Sequence, residues 1–476
     1  MTILRIRATG VLGLVCVLVA ASPMVAQNAL ATATASGIDA AAADVLKTTG
    51  VPSASVAVVQ GGKVAYVKAY GMARLDPAMA AEPGMRYSIG SVSKQFTAAV
   101  ILLLAQDGKL KLDDPVGKYL PELTRANDVT IRQVLSMTSG YQDFWPEDYV
   151  MTSMLKSTNP QQILDVWAKK ALDFEPGTQW QYSNTNYVIA GRIAEIAGGK
   201  PLIEQLQERI FRPLKMTGVF NSDASRLPAN DPTGYYQHAL GPLRPAPKEG
   251  QGWMFAAGEL AMPASDLALW NISLMNRTLL APASYEAMFT EVKLKDGKGT
   301  GYGLGVQVGD RNGHRYIEHS GEVSGFVSEN IIFPDEKAAV TVLTNEDASS
   351  AAGALGRKIA PLVLGGASGM EAASTDAAAA EKRALDIFTG LQDAKLERSQ
   401  LTAYCDGYFT QEAVEDFASS LKPLGTPTSF KQSSVGKRGG MTFRVFNVDF
   451  PSRQLRVTEY EMPDGKLEQY LVMPRS

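Results

Sequence analysis

The chain has 476 residues, 45% of them hydrophobic, which is enough apolar material for one large core or two ordinary ones. Its 46 basic and 49 acidic residues are nearly balanced and scattered without a block, which argues against nucleic acid as a partner. The histidines His238, His314 and His319 and the two cysteines stand at no zinc-ligand spacing, so neither a protein-built zinc site nor metal hydrolysis is expected.

Arg5 and Arg7 precede an apolar run over residues 11–21, then Pro23 and small residues as far as Ala26. This is the layout of a secretory signal, too short to span a bilayer comfortably. Residues 1–26 are read as that signal, with Ala26 preferred over Ala31 as the residue before the cut because it follows the proline. Cys16 lies inside the apolar run after Val15, a poor lipidation site. Cleavage leaves Cys405 as a lone thiol, so an exported, periplasmic or secreted fold must be held by its core and not by a disulfide. No transmembrane helix is expected, since the apolar stretches near residues 97–105 and 338–344 are short and bounded by polar residues.

A helical start over residues 37–48 leads to β-branched runs at 53–59 and 64–70, joined by Gln60-Gly61-Gly62 as a hairpin. Phe96, Val100, Leu103 and Leu104 have helical spacing within residues 91–106, and Asp107-Gly108 ends that helix. Residues 110–290 read as helices and loops punctuated by prolines. Strand character returns at 302–308, 314–319, 326–333 and 338–343, followed by a helix at 350–364. Strands at both ends with helices inserted between them predict an α/β (α+β) architecture whose sheet is assembled from distant pieces. Residues 365–380 are rich in small residues and read as a linker. Residues 381–476 then form a second, small α+β domain with strands near 430, 441–448, 455–460 and 467–472. No chemistry is identified in it, so it reads as an accessory module packing near the cleft or binding a partner, and a chain ending near Ser368 is expected still to react.

Three short motifs could carry chemistry. Ser91-Val92-Ser93-Lys94 places a hydroxyl and an amine three residues apart on one helix face, at a helix start with free N–H groups. The bare S-x-x-K pattern recurs at Ser153/Lys156, Ser419/Lys422 and Ser434/Lys437, but only Ser91 follows a glycine after a strand and opens a long apolar helix. Tyr182-Ser183-Asn184 is the one Y-x-N among seventeen tyrosines. Its phenol can carry a proton, and its amide can fix a lysine head and a substrate carbonyl. His319-Ser320-Gly321 ends a strand-like run, where a glycine suits close approach by a substrate backbone. Each has an ordinary structural reading: a capping serine, a turn, a surface histidine.

The order of the three motifs resembles that of the penicillin-recognising serine hydrolases, and most of all class C β-lactamases, D-alanyl-D-alanine carboxypeptidases, D-aminopeptidases and lactamase-like esterases. The resemblance extends to residues 87–96 (YSIGSVSKQF), 112–120 (LDDPVGKYL), 130–140 (TIRQVLSMTSG), 182–191 (YSNTNYVIAG), 257–270 (AGELAMPASDLALW) and 302–306 (YGLGV). It implies a β-lactamase-like antiparallel sheet flanked by helices, plus an all-helical subdomain with a cleft between them, within residues 27–364. It also implies Ser91 as the acylated nucleophile, Lys94 and Tyr182 sharing the base role, and Asn184 holding Lys94 and the substrate amide. The oxyanion hole would be the backbone N–H groups of Ser91 and Glu322. No metal or organic cofactor is implied.

The chain departs from class C β-lactamases in having His319-Ser320-Gly321 in place of Lys-Thr-Gly, and in having Met137 where relatives often have histidine. A histidine at position 319 would titrate near neutrality, so carboxylate binding should weaken from pH 6 to 8. The reading that follows is an exported serine hydrolase acting on a small-molecule or short-peptide amide or ester. Its alternatives are a true β-lactamase and a non-catalytic sensor of cell-wall peptides. A Ser-His-Asp α/β-hydrolase is disfavoured, because G-x-S-x-G is absent from the sequence.

Overall fold

The computed structural model describes residues 30–365 and 377–475; the expected signal and residues 366–376 of the expected linker lie outside the described residues. The first β-branched runs form the hairpin β1 (Ser53–Gln60) and β2 (Lys63–Arg74), extended by β3 (Met79–Ala80). Their partners lie far along the chain: β4 (Gln307–Arg311), β5 (His314–Val323), β6 (Phe326–Phe333) and β7 (Ala338–Thr344). Together they make a seven-stranded sheet in the order β3-β2-β1-β7-β6-β5-β4. Every neighbouring pair is antiparallel.

The five longest helices of this part are α1 (Thr32–Thr49), α2 (Ser93–Gln106), α3 (Asn184–Gly198), α4 (Ala264–Asn276) and α5 (Ala351–Leu364). β1 is buried on both faces, and its two-residue period sorts its side chains between two cores. Val56 and Val58 join Ile38 and Val45 of α1 and Leu355 and Ile359 of α5. Ala57 and Val59 join the larger core of α2, α3 and α4. This explains why β1 reads as a continuous apolar run without alternation.

Residues 110–290 are helical with loops, as expected, and a few short strands stand beside the helices. Tyr87–Ser88, Leu260–Met262 and Phe220–Asn221 form a three-stranded sheet, and Tyr235–Tyr236 pairs with Arg244–Pro245. Strands of two or three residues are too short to show a period. The strand expected from residue 302 starts only at Gln307, because Tyr302, Leu304 and Val306 are core residues of a loop.

The C-terminal part comprises α6 (Ala378–Gln392), α7 (Ala403–Tyr408), α8 (Gln411–Leu421) and an antiparallel meander of β8 (Ser429–Arg438), β9 (Met441–Asp449), β10 (Gln454–Glu461) and β11 (Leu467–Pro474). α6 begins inside the stretch read as linker. Phe388, Phe417, Phe446 and Tyr470 form a core of their own, which Ala239 of the first part also enters. Arg244 ties the two parts together, its Nη1 donating to Asp416 at 2.5 Å while its Nε pairs with Glu412 at 3.1 Å. Among the described residues, no helix is long and apolar enough to cross a membrane.

Candidate active site

Residues 93–104 of α2 are all buried, which makes this apolar helix the fixed centre of the larger core. A 3-10 turn, Gly90–Val92, leads into it, so Ser91 stands at the helix entrance and Lys94 one turn further in. Lys94 is fully buried. Its Nζ donates to Ser91 Oγ at 2.9 Å, Asn184 Oδ1 at 2.8 Å and the Ala257 carbonyl at 2.9 Å, three acceptors for three protons. Burial nevertheless holds its pKa well below that of an ordinary lysine; Asp143 opposes the shift and Arg438 adds to it.

The Y-x-N segment enters α3 alongside α2. Burial raises the Tyr182 phenol, while a hydrogen bond with Ser91 and the charge of Arg438 pull it back. Lys94 Nζ lies 5.1 Å from the centre of the Tyr182 ring. Asn184 is fixed from both ends: its backbone N–H donates to Asp143 Oδ1 at 2.8 Å, and its Nδ2 donates to the Trp145 carbonyl at 2.9 Å. Asn184 Oδ1 thus accepts from Lys94, while the amide nitrogen that would face substrate is engaged with the Trp145 carbonyl. Met137 sits beneath this segment, its sulfur accepting from Ser183 N at 3.4 Å and Asn186 Nδ2 at 3.6 Å. In place of a histidine, this position thus offers a soft, weak acceptor.

The third motif lies on β5, which crosses the Ser91 turn. A Cβ on Gly90, at φ +50, would stand 2.7 Å from Glu322 N, and a Cβ on Gly321 would stand 2.8 Å from Ser91 N and 2.0 Å from the Ile89 carbonyl. Two bare glycines therefore let the backbone nitrogens of Ser91 and Glu322 come together. Gly321→Ala is expected to push β5 off this turn and lower kcat/KM by about 100-fold or more, as loss of oxyanion-hole donors does. A steady-state assay on a folded variant checks this. The Glu322 side chain is half-buried, accepts from Ala348 N at 2.6 Å, and has its pKa raised chiefly by desolvation and then by Asp148.

The titrating charge expected of His319 is not found. The ring is buried, with Nδ1 donating to the Ser320 carbonyl at 2.5 Å and Nε2 accepting from Tyr302 Oη at 3.0 Å. Burial, and then the Lys94 charge, push its pKa down to about 3, so it is neutral across the working pH range. The expectation that it gains and loses a carboxylate between pH 6 and 8 therefore falls. Ser320, by contrast, is exposed.

Ser91, Tyr182, Asn184, His319, Ser320, Gly321 and Glu322 line one cleft of about 470 Å³. The C-terminal part lines it too, through Lys437, Arg438, Phe443 and Tyr460, although all three motifs lie before Gly365. Arg438 Nη1 donates to Asp148 Oδ1 at 2.9 Å, and Gln469 Nε2 donates to Asp148 Oδ2 at 2.9 Å. Asp148 belongs to the same loop as Asp143 and Trp145. The sequence reading missed Asp143, Trp145, Asp148 and Arg438. A run of Asp143-Phe144-Trp145 outside any element was the one local hint, and Arg438 reaches the cleft only through tertiary packing.

Residues 38–363 match the Beta-lactamase family. The chain is 26% identical over 313 residues to Protein flp of Staphylococcus aureus, covering 62% of this chain and 60% of that protein, so it spans less than two thirds of that relative's length. A D-stereospecific amidohydrolase from Streptomyces sp. superposes with a TM-score of 0.59 at 26% identity, over 68% of this chain and 97% of its own. The octameric penicillin-binding protein homologue from Pyrococcus abyssi matches the fold over 92% of this chain and 99% of its own, with a TM-score of 0.62 at 21% identity. With more than half of its length matched, and the Ser91, Tyr182 and His319 motifs meeting in one cleft within that span, the chain belongs to the Beta-lactamase family of serine hydrolases.

Proposed function

We propose that the protein is an exported serine hydrolase that cleaves a small amide or ester through an acyl-enzyme on Ser91. One observation carries this reading: a buried lysine of depressed pKa donates to a serine at a helix entrance, beside a tyrosine bonded to the same serine. The Ser91 hydroxyl proton passes to the Lys94–Tyr182 pair as Oγ bonds to the carbonyl carbon. Charge developing on the carbonyl oxygen is met by the N–H groups of Ser91 and Glu322. Tyr182 then protonates the leaving amine or alcohol, and water releases the acid by the same path reversed. The expected export segment, residues 1–26, belongs to this proposal.

The neutral His319 favours peptidase, amidase or esterase chemistry over β-lactam hydrolysis, since it offers no cation beside Ser320. The Streptomyces neighbour, a D-stereospecific amidohydrolase, supports amides of D-configured acyl groups as the first class to test. A panel of D- and L-amino-acid amides, short esters and β-lactams, followed by intact mass and turnover, tests the reading. Acylation mapping to Ser91 with turnover of amides or esters is expected. Turnover confined to β-lactams would make the protein a β-lactamase, and adducts without turnover would make it a sensor.

A further inference from the structure

The β8–β9 hairpin turns at Gly439-Gly440, where φ is +55 and +77, and Arg438 pairs with Met441 across the turn. Left-handed values at both central residues make a tight two-residue connection of the kind that glycine allows. The tip reaches the wall of the cleft: a Cβ on Gly439 would stand 2.9 Å from Pro146 Cβ, in the loop that carries Trp145 and Asp148. The turn thus holds Arg438 in the cleft lining beside Tyr182, its Cζ 5.7 Å from the Tyr182 ring centre and 5.6 Å from that of Tyr460.

The guanidinium is only partly used. Among the described residues, its hydrogen bonds run through Nη1, to Asp148 Oδ1 at 2.9 Å and Tyr460 Oη at 2.8 Å, while Nε is buried and donates to nothing. A guanidinium offers five N–H donors in a planar fork suited to a carboxylate. Lys437, also in the lining, is exposed and donates to Thr442 Oγ1 at 2.7 Å, and the remaining charges of the lining leave room for an anion. Burial raises Glu147 and Glu322 well above the usual carboxylate range and Asp347 to about 7, and His319 is neutral. Asp148, besides Arg438, is occupied by Gln469.

We propose that Arg438 is a specificity-determining residue, which binds a carboxylate on the substrate close to the bond that Ser91 attacks. The C-terminal hairpin then supplies the substrate-binding cation that β5, with its neutral histidine, lacks. This deepens the proposed function and rests on Ser91 being the nucleophile. The substrate class it names is an amide or ester bearing a free acid, such as a peptide with an exposed C-terminal carboxylate.

The test uses the full-length protein and two matched ester substrates, one with a carboxylate and the other with a carboxamide at the same position. Wild type is expected to prefer the acid. Arg438→Gln should lower the ratio of kcat/KM for acid over amide by about 10- to 100-fold, mainly through KM, the range of a lost charge-assisted hydrogen bond. Some loss on the neutral substrate is expected as well, because the Arg438 charge also bears on Lys94 and Tyr182. Arg438→Lys, which keeps the charge beside Asp148, should restore part of the ratio. It also carries the comparison if the glutamine variant fails to fold, with an expected fall of about 3- to 10-fold against wild type as the bidentate fork is lost. A ratio unchanged in either folded variant, or a wild type that does not prefer the acid, would overturn the proposal. Fluorophosphonate labelling of wild type reads the other premise separately: an adduct at Ser91 upholds the nucleophile, and its absence there removes that reading whatever the ratio shows.

Discussion

Lys94→Ala and Tyr182→Phe should each lower kcat/KM by about three to four orders of magnitude, and the double variant should be little worse than either. Ser91→Ala should remove acylation altogether. Non-additivity follows from the geometry, because the Lys94 amine and the Tyr182 phenol both address the same Ser91 oxygen. Once one end of that path is cut, the other has no proton to relay. Steady-state kinetics on the four proteins of the cycle decide it, and losses that add in free energy would dissolve the shared path. The pH profile has a fixed sign. Lys94 serves as a base only when neutral, and burial lowers its pKa well below that of a free lysine, so activity should fall as pH drops through that lowered value and not near the ordinary lysine range. In Lys94→Ala this acid limb should disappear from whatever activity remains.

Local pattern was enough where one element determines the outcome. The helical spacing of Phe96, Val100, Leu103 and Leu104 located α2, and because Ser91 stands at its entrance three residues before Lys94, their pairing could be read from the sequence. β6 was legible from its β-branched run, with bounds that match the structure. The charge state of His319 was not legible, because it depends on burial against Tyr302 and on the Lys94 ammonium, neither of which is a sequence neighbour. Asp143 was invisible for the same reason: its work is done on the backbone and amide of Asn184, across a loop without period. The largest miss was the C-terminal hairpin. Gly439-Gly440 announces a turn, but nothing in the strand around it says which cleft that turn will enter.

Cutting the chain after Ser368 should therefore slow Ser91 acylation by about 100-fold or more, against the expectation from motif positions alone. The loop that carries Asp143, Trp145 and Asp148 touches the machinery at one end and the C-terminal part at the other. At the catalytic end, Asp143 and the Trp145 carbonyl fix Asn184, which in turn holds Lys94. At the far end, Asp148 N donates to Gln469 Oε1 at 2.7 Å, Asp148 accepts from Arg438 and Gln469, and Tyr149 Oη donates to the Glu468 carbonyl at 3.0 Å. Each of these is worth about 1 kcal/mol net, and the cut removes all of them together with the tilted ring contact of Tyr149 with Tyr408 at 4.8 Å between centroids. The loop should then sample open conformations in which Asn184 no longer points its oxygen at Lys94. Rates of fluorophosphonate labelling, compared between the full and shortened proteins after both give cooperative melts, measure the effect. In the full chain, Asp148→Ala should reproduce a fraction of the loss, because it breaks the same anchor without removing the domain. Equal labelling rates in all three proteins would mean that the loop holds its shape unaided, leaving the C-terminal hairpin to act on substrate alone.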